Sequence, residues 1–150
     1  MPEVGKKAPK LKGLTGDGSE LKLDGLKGQW VVVYFYPKDS TPGCTTEACD
    51  FRDNYKAFLK KGAVVLGVSA DSAKSHLNFK QKQSLPFPLL VDEDKTLCHA
   101  YGVWQKKTLY GREFMGIVRS TFVIGPNGKL TDVVRKVKVA GHVQTILEAL

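Results

Sequence analysis

Trp30-Val31-Val32-Val33-Tyr34-Phe35-Tyr36-Pro37-Lys38-Asp39-Ser40-Thr41-Pro42-Gly43-Cys44 changes character twice within a few residues. Its first half is a run of β-branched and aromatic residues ending at Pro37. That composition predicts a buried strand over residues 31–37. Its second half reads as a helix start. Thr41 is a favourable N-cap residue. Pro42 then falls at the first helical position, where a missing N–H costs nothing. The next apolar positions, Cys44, Ala48, Phe51, Tyr55 and Phe58, are spaced four, three, four and three apart. Such spacing marks one face of a helix, here read over residues 43–60.

The same alternation continues outward. Residues 63–69 (Ala-Val-Val-Leu-Gly-Val-Ser) read as a second buried strand, and 72–84 as a polar helix with Ala73, Leu77 and Phe79 inward. Leu85-Pro86-Phe87-Pro88 ends that helix. Leu89-Leu90-Val91 is a short strand, and 93–101 a short helix. Two strand-like runs, Thr121–Ile124 and Leu130–Val134, flank Asn127-Gly128, a hairpin signal. Residues 141–149 close the chain as a helix. The Gly- and Lys-rich N-terminal segment around Gly16-Asp17-Gly18-Ser19 reads as a loop or small hairpin. This pattern predicts an α/β protein, a central mixed sheet flanked by helices. A thioredoxin-like fold with an N-terminal hairpin extension, spanning 1–150 as a single domain, is the expectation.

Composition bounds the function. The chain is 42% hydrophobic and 25% charged, typical of a soluble globular protein. Its apolar runs are far too short for a membrane span. The N-terminal Met1-Pro2-Glu3-Val4-Gly5-Lys6 has no apolar signal core, so a cytoplasmic location is expected. The formal charge is +8, but the basic residues are scattered in short groups such as Lys60-Lys61 and Lys106-Lys107. No nucleic-acid motif accompanies them, which points to a solvated basic surface rather than a nucleic-acid partner. Three cysteines are too few for a disulfide scaffold, and in a reducing compartment a cysteine pair is more often catalytic than structural.

The helix start bears on those cysteines. Cys44 lies in the first turn, among unpaired backbone N–H groups and the positive end of the helix dipole, which favour a thiolate. Five residues on, Cys49 is rotated about 140° away, onto a polar face with Asp53, Lys56 and Lys60. In an intact helix the two Cα atoms lie roughly 8.7 Å apart. A disulfide needs about 7 Å or less, so a bond between them would require the first turns to unwind. Metal binding is disfavoured: the pair is not C-x-x-C, and His76, His99 and His142 show no ligand spacing. No histidine is marked as the base of a hydrolase. A disulfide oxidoreductase would want C-x-x-C, and a non-enzymatic basic module stays open as an alternative.

Pro37-x-x-x-Thr41-x-x-Cys44 matches the peroxiredoxin active-site signature. The longer string Tyr34–Glu47 resembles the bacterioferritin comigratory protein (PrxQ) subfamily. The likeness continues through Gly67-Val68-Ser69, Asp71-Ser72, Tyr101-Gly102-Val103-Trp104 and Arg119-Ser120-Thr121-Phe122-Val123-Ile124. The resemblance implies a thiol peroxidase acting on hydrogen peroxide or organic hydroperoxides, with no cofactor and no metal. Cys44 would be the peroxidatic nucleophile. Thr41 would hydrogen-bond the thiolate or peroxide through its hydroxyl, Pro37 would shield the site from water, and Arg119 would hold the thiolate and polarise the peroxide. Glu47 would position Arg119 or another basic group. Helix 72–84 contains no cysteine, so Cys49 is the implied resolving residue, forming a Cys44–Cys49 disulfide that a thioredoxin-like reductant recycles. A monomer is expected, since both cysteines share one chain. Cys98, among apolar neighbours, reads as a packing residue, with an alternative thiol partner as its rival role.

Overall fold

A computed structural model describes residues 2–150. The chain opens with a hairpin of β1 (Lys12–Thr15) and β2 (Glu20–Lys22), followed by β3 (Trp30–Phe35). Two helices come next, α1 (Pro42–Asp53) and α2 (Tyr55–Lys60), then β4 (Ala63–Ser69), α3 (Ala73–Gln83) and β5 (Leu89–Val91). The second half runs α4 (Thr96–Ala100), β6 (Trp104–Leu109), β7 (Arg112–Ile117), β8 (Ser120–Ile124), β9 (Leu130–Arg135) and α5 (His142–Glu148). The described strands other than β6 and β7 form one sheet in the order β2-β1-β5-β4-β3-β8-β9. Its centre is parallel, β3 beside β4 and β4 beside β5, and its flanks are antiparallel. The expected mixed sheet and N-terminal hairpin are both present.

β3 lies at the middle of this sheet, and its side chains alternate between two cores. Val32, Tyr34 and Tyr36 enter a core with Cys44, Ala48 and Phe51 of α1, Phe58 of α2, Phe79 of α3 and Val143, Ile146 and Leu147 of α5. Val31, Val33 and Phe35 enter the other with Leu97 and Cys98 of α4, Tyr101 and Val103. Being buried on both faces, β3 reads as one unbroken apolar run. Each fully buried large side chain contributes at most roughly 1.5–3 kcal/mol of transfer free energy. Gly67 of β4 makes the first core close-packed. A Cβ there would sit 2.7 Å from Leu89 Cδ2 and 3.0 Å from the Tyr34 ring.

Three departures from the sequence expectation have local causes. The single helix expected over 43–60 is two. Asn54 breaks it with φ −106°, ψ 5°, and its Nδ2 donates to Asp50 O at 2.8 Å. A side-chain amide on a helix carbonyl competes with the continuing ladder. Within α3 the inward residues are His76 and Phe79, whereas Ala73 is exposed and Leu77 only half-buried. The hairpin of β6 and β7 was not anticipated. Its strands are largely exposed and charged, so they lack the alternation that marks a half-buried strand. Its turn is Tyr110-Gly111, with φ +51° and +76°, the pair of left-handed residues that a tight two-residue hairpin requires.

Candidate active site

The loop between β3 and α1 delivers the chemistry. Thr41 is extended (φ −78°, ψ 155°), Pro42 begins α1, and Cys44 follows within the first turn. The cysteine is buried, at 1% exposure, on the helix face that packs against the sheet. The predicted stripe therefore does orient it inward.

Arg119 arrives from elsewhere in the chain. β8 pairs antiparallel with β3, with Ser120 opposite Phe35. This register brings Arg119, one residue earlier, to the end of β3 where the loop leaves the sheet. Its Nη2 donates to Cys44 Sγ at 3.3 Å and its Nη1 to Glu47 Oε1 at 2.7 Å. The fork of the guanidinium thus serves two partners at once. Gly43 leaves the space for it, since a Cβ there would lie 3.3 Å from Nη2. Burial disfavours the Arg119 charge, but Glu47 and Cys44 outweigh it and hold the guanidinium pKa above its ordinary value.

Glu47 is fully buried and lies one helical turn after Cys44. Burial pushes its pKa up to about 7 despite the opposing Arg119 charge. Its second oxygen, Oε2, has no hydrogen-bond partner among the described residues. A buried carboxylate with one free oxygen is costly unless its remaining partner is strongly cationic. His142 lies on the same side of the molecule. Its Nε2 meets Thr121 Oγ1 at 2.7 Å, and burial, with the charge of Arg119, lowers its pKa to about 4. It is a neutral imidazole at physiological pH. Lys107 brings a second cation near: its Nζ donates to Ile117 O at 2.9 Å, and burial, then Arg119, lower its pKa.

The other expected residues fall as follows. Pro37 is half-buried at the bend after β3. The Thr41 hydroxyl does not donate to the sulfur; it donates to Lys38 O at 2.8 Å. One hydroxyl has one proton, so towards the site Thr41 presents an acceptor. Its side chain makes no N-cap bond either, and the capping there is conformational. Cys49 is half-buried rather than on an open polar face. Its Sγ lies 3.6 Å from Gln83 Oε1 at the end of α3, and Arg52 Nη1 donates to Gln83 O at 2.8 Å. All three cysteines are free, and α1 is continuous through both Cys44 and Cys49.

Cys98 lies in the core on the opposite face of the sheet from Cys44. Its backbone N–H donates to Asp92 Oδ2 at 2.8 Å, and burial together with that carboxylate pushes the thiol pKa well up. Such a thiol is inert. Its burial fits the expected packing role, and the sheet lies between it and Cys44. Among the described residues, Asp39, Asp71 and His76 are the one His/Cys/Asp/Glu group close enough together for a metal ion. Their polar atoms are already engaged by one another and by neighbouring protein groups. In the sequence nothing marks Asp39, and His76 shows no ligand spacing; the one signal for the pair is that His76 and Phe79 share a face of α3. No described helix is long and apolar enough to cross a membrane.

The AhpC/TSA family model matches residues 4–133. Peroxiredoxin Bcp of Bacillus subtilis is 53% identical over 149 residues, covering 99% of this chain and 94% of its own. Xanthomonas campestris bacterioferritin comigratory protein, whose structures with a trapped intermediate and ligand concern alkyl peroxide reduction, superposes with a TM-score of 0.88. It is 49% identical over 93% of this chain and 88% of its own. A Cys-to-Ser mutant of Xylella fastidiosa PrxQ superposes with a TM-score of 0.89, at 39% identity, over 99% and 94% of the two chains. These neighbours share the thioredoxin-like peroxiredoxin fold expected from the strand and helix pattern. With its sheet order, its Cys44–Arg119–Glu47 cluster and this likeness over nearly its whole length, the chain belongs to the AhpC/TSA family, among the Bcp/PrxQ peroxiredoxins.

Proposed function

We propose that this peroxidase reduces hydrogen peroxide and organic hydroperoxides through Cys44, with Cys49 as the resolving residue. The observation that carries the reading is the Arg119 fork, one N–H on Cys44 Sγ and the other on Glu47. A guanidinium held there stabilises a thiolate and faces the charge that develops on a peroxide oxygen. The thiolate attacks one oxygen and breaks the O–O bond. A sulfenic acid forms on Cys44, and the leaving hydroxide or alkoxide takes a proton and departs as water or alcohol. Thr41, with its own proton on Lys38 O, accepts a hydrogen bond from the peroxide O–H. Pro37 limits access of water. Glu47 holds Arg119.

The second step needs motion. In α1 the two sulfurs face different surroundings, Cys44 in the core and Cys49 against Gln83. The first turns unwind, the Cys49 thiol attacks the sulfenic sulfur, and a disulfide forms with loss of water. A thioredoxin-like dithiol restores both thiols by exchange. The chain acts as a monomeric single domain in the cytoplasm. The reported alkyl peroxide reduction by the Xanthomonas relative supports organic hydroperoxides as substrates.

Peroxide consumption by wild type and Cys44→Ser, followed with a dithiol reductant, tests the first step: unchanged turnover in the variant would overturn it. Intact mass after one equivalent of peroxide tests the second. Wild type should lose two hydrogens, and Cys49→Ser should stop at the sulfenic acid or a mixed disulfide.

A further inference from the structure

The Pro37–Thr41 loop is held by a polar network that the reaction itself does not use. Asp39 is its centre. Its Oδ1 accepts from Tyr36 Oη at 2.5 Å, and its Oδ2 from Ser75 Oγ at 2.8 Å. The same Oδ2 lies 2.7 Å from His76 Nδ1. The backbone N–H of Asp39 donates to Asp71 Oδ2 at 2.7 Å, and Asp71 is itself held by Ser69 Oγ at 3.0 Å. On the far side of the ring, His76 Nε2 lies 2.7 Å from Leu90 O. Both ring nitrogens of His76 therefore face acceptors only, a carboxylate and a backbone carbonyl. An imidazole satisfies two acceptors only as the imidazolium, with a proton on each nitrogen. Both side chains are almost wholly buried, His76 at 0% and Asp39 at 2% exposure.

The location gives the pair its purpose. Asp39 lies between Lys38, whose carbonyl takes the Thr41 proton, and Ser40, which adopts φ +63°. A non-glycine residue in that conformation persists only where its surroundings enforce it. We propose that Asp39 and His76 are positioning residues: they clasp the loop to α3 and β5, hold Lys38 and Thr41 in register for peroxide at Cys44, and do so only while the imidazole carries both protons. The inference rests on the peroxide-site reading above.

The surroundings favour the charged state. Burial opposes it, but the Asp39 hydrogen bond and charge outweigh burial and raise the His76 pKa. Burial likewise opposes the Asp39 charge, and His76 and Tyr36 more than offset it. Every element packed on the ring adds a neutral or anionic group. The residue after β3 gives the Tyr36 hydroxyl, β5 the Leu90 carbonyl, the turn before α3 gives Asp71, and α3 itself gives Ser75. Beyond the ring, Asp17 of the N-terminal hairpin and Lys80 of α3 line the surface groove that it backs. A raised histidine pKa means that the clasp is whole on the acid side and is lost as pH rises through the folded-state pKa.

The test compares two measurements on the wild-type chain. Nitrogen-resolved NMR of His76 should show both ring nitrogens protonated at neutral pH, with a deprotonation midpoint on the alkaline side. The second-order rate of reduced protein with hydrogen peroxide should fall with the same midpoint. In Asp39→Asn that rate should drop roughly tenfold or more, as small misplacements of a reacting group do. Its alkaline limb should also move towards neutral pH, a shift that a purely structural role would not produce. A neutral His76 ring at neutral pH, or an alkaline limb unrelated to its titration, overturns the proposal without any variant. So does a folded Asp39→Asn with the wild-type rate and profile. Persistence of turnover in Cys44→Ser would instead overturn the site reading, and the NMR result would still stand by itself.

Discussion

Arg119 Nη2 and Cys44 Sγ lie 3.3 Å apart although 75 residues separate them along the chain. The antiparallel pairing of β8 with β3 sets this approach, and the absence of a side chain at Gly43 permits it. The same guanidinium is tied to Glu47, so sulfur, cation and carboxylate form one unit. Disturbing any member should be felt by the others.

Replacing Arg119 with Lys keeps the charge but not the fork. An ammonium on a flexible stem cannot serve Cys44 and Glu47 with the same planar geometry. The peroxide rate should fall about a hundredfold, the scale seen when a preorganised donor is removed from a developing charge. Stopped-flow mixing of the reduced variant with hydrogen peroxide measures it. A rate within a few-fold of wild type would show that charge alone suffices.

Glu47 should make stability depend on pH. Its pKa rises from 4.5 to about 7 on folding, chiefly through burial. The folded state therefore binds the proton more tightly than the unfolded chain. Its contribution is whole below pH 4.5 and is lost as pH rises towards about 7. The loss is of the order of 3 kcal/mol. Glu47→Gln cannot ionise, so the difference in unfolding free energy between variant and wild type should shift by this amount across that window. Denaturant unfolding at a series of pH values would show it, and a constant difference would contradict the burial argument.

Gly43→Ala separates stability from activity. Within a helix, alanine is favoured over glycine by roughly 0.5–1 kcal/mol. The new methyl, however, sits 3.3 Å from Arg119 Nη2 and must move the guanidinium by some tenths of an ångström. Thermal unfolding should be unchanged or slightly raised, while peroxide reduction slows by roughly tenfold. Equal loss of both would mean that the helix, and not Arg119, absorbs the strain.

Cys98 should be silent. It is fully buried with a thiol pKa pushed well up, and the sheet separates it from Cys44. A thiol reagent should modify Cys98 in the native protein only at the rate of unfolding, and quickly in denaturant. Cys98→Ala should keep the wild-type peroxide rate. Its stability should fall by about 1–2 kcal/mol, for the loss of a small buried group.

Much of this was legible before any coordinates. The strand before Pro37, the Thr41-Pro42 helix start and the inward face of α1 all depend on contacts within a few residues. Cap chemistry and periodicity report such contacts directly. Where side chains escaped those rules, the reading failed. Asn54 broke a helix by bonding a carbonyl one turn back, and the β6–β7 hairpin carries its charges on exposed strands. Thr41 was expected to hydrogen-bond the thiolate or the peroxide; that its hydroxyl donates to Lys38 O, and so faces the site as an acceptor, is a loop geometry no sequence rule reports.

The local order of the chain settled where Cys44 lies, at the start of a helix and on its buried face, because a helix presents neighbours three and four residues apart and the first turn leaves its amides unpaired. It also settled that Cys49 points elsewhere. How Arg119, already named by the family resemblance, reaches the sulfur, which face of the sheet isolates Cys98, and what clasps Asp39 were decided only in three dimensions. Those relations come from strand register and from helices packing across the sheet, where residues tens of positions apart become neighbours with no periodic trace in the sequence.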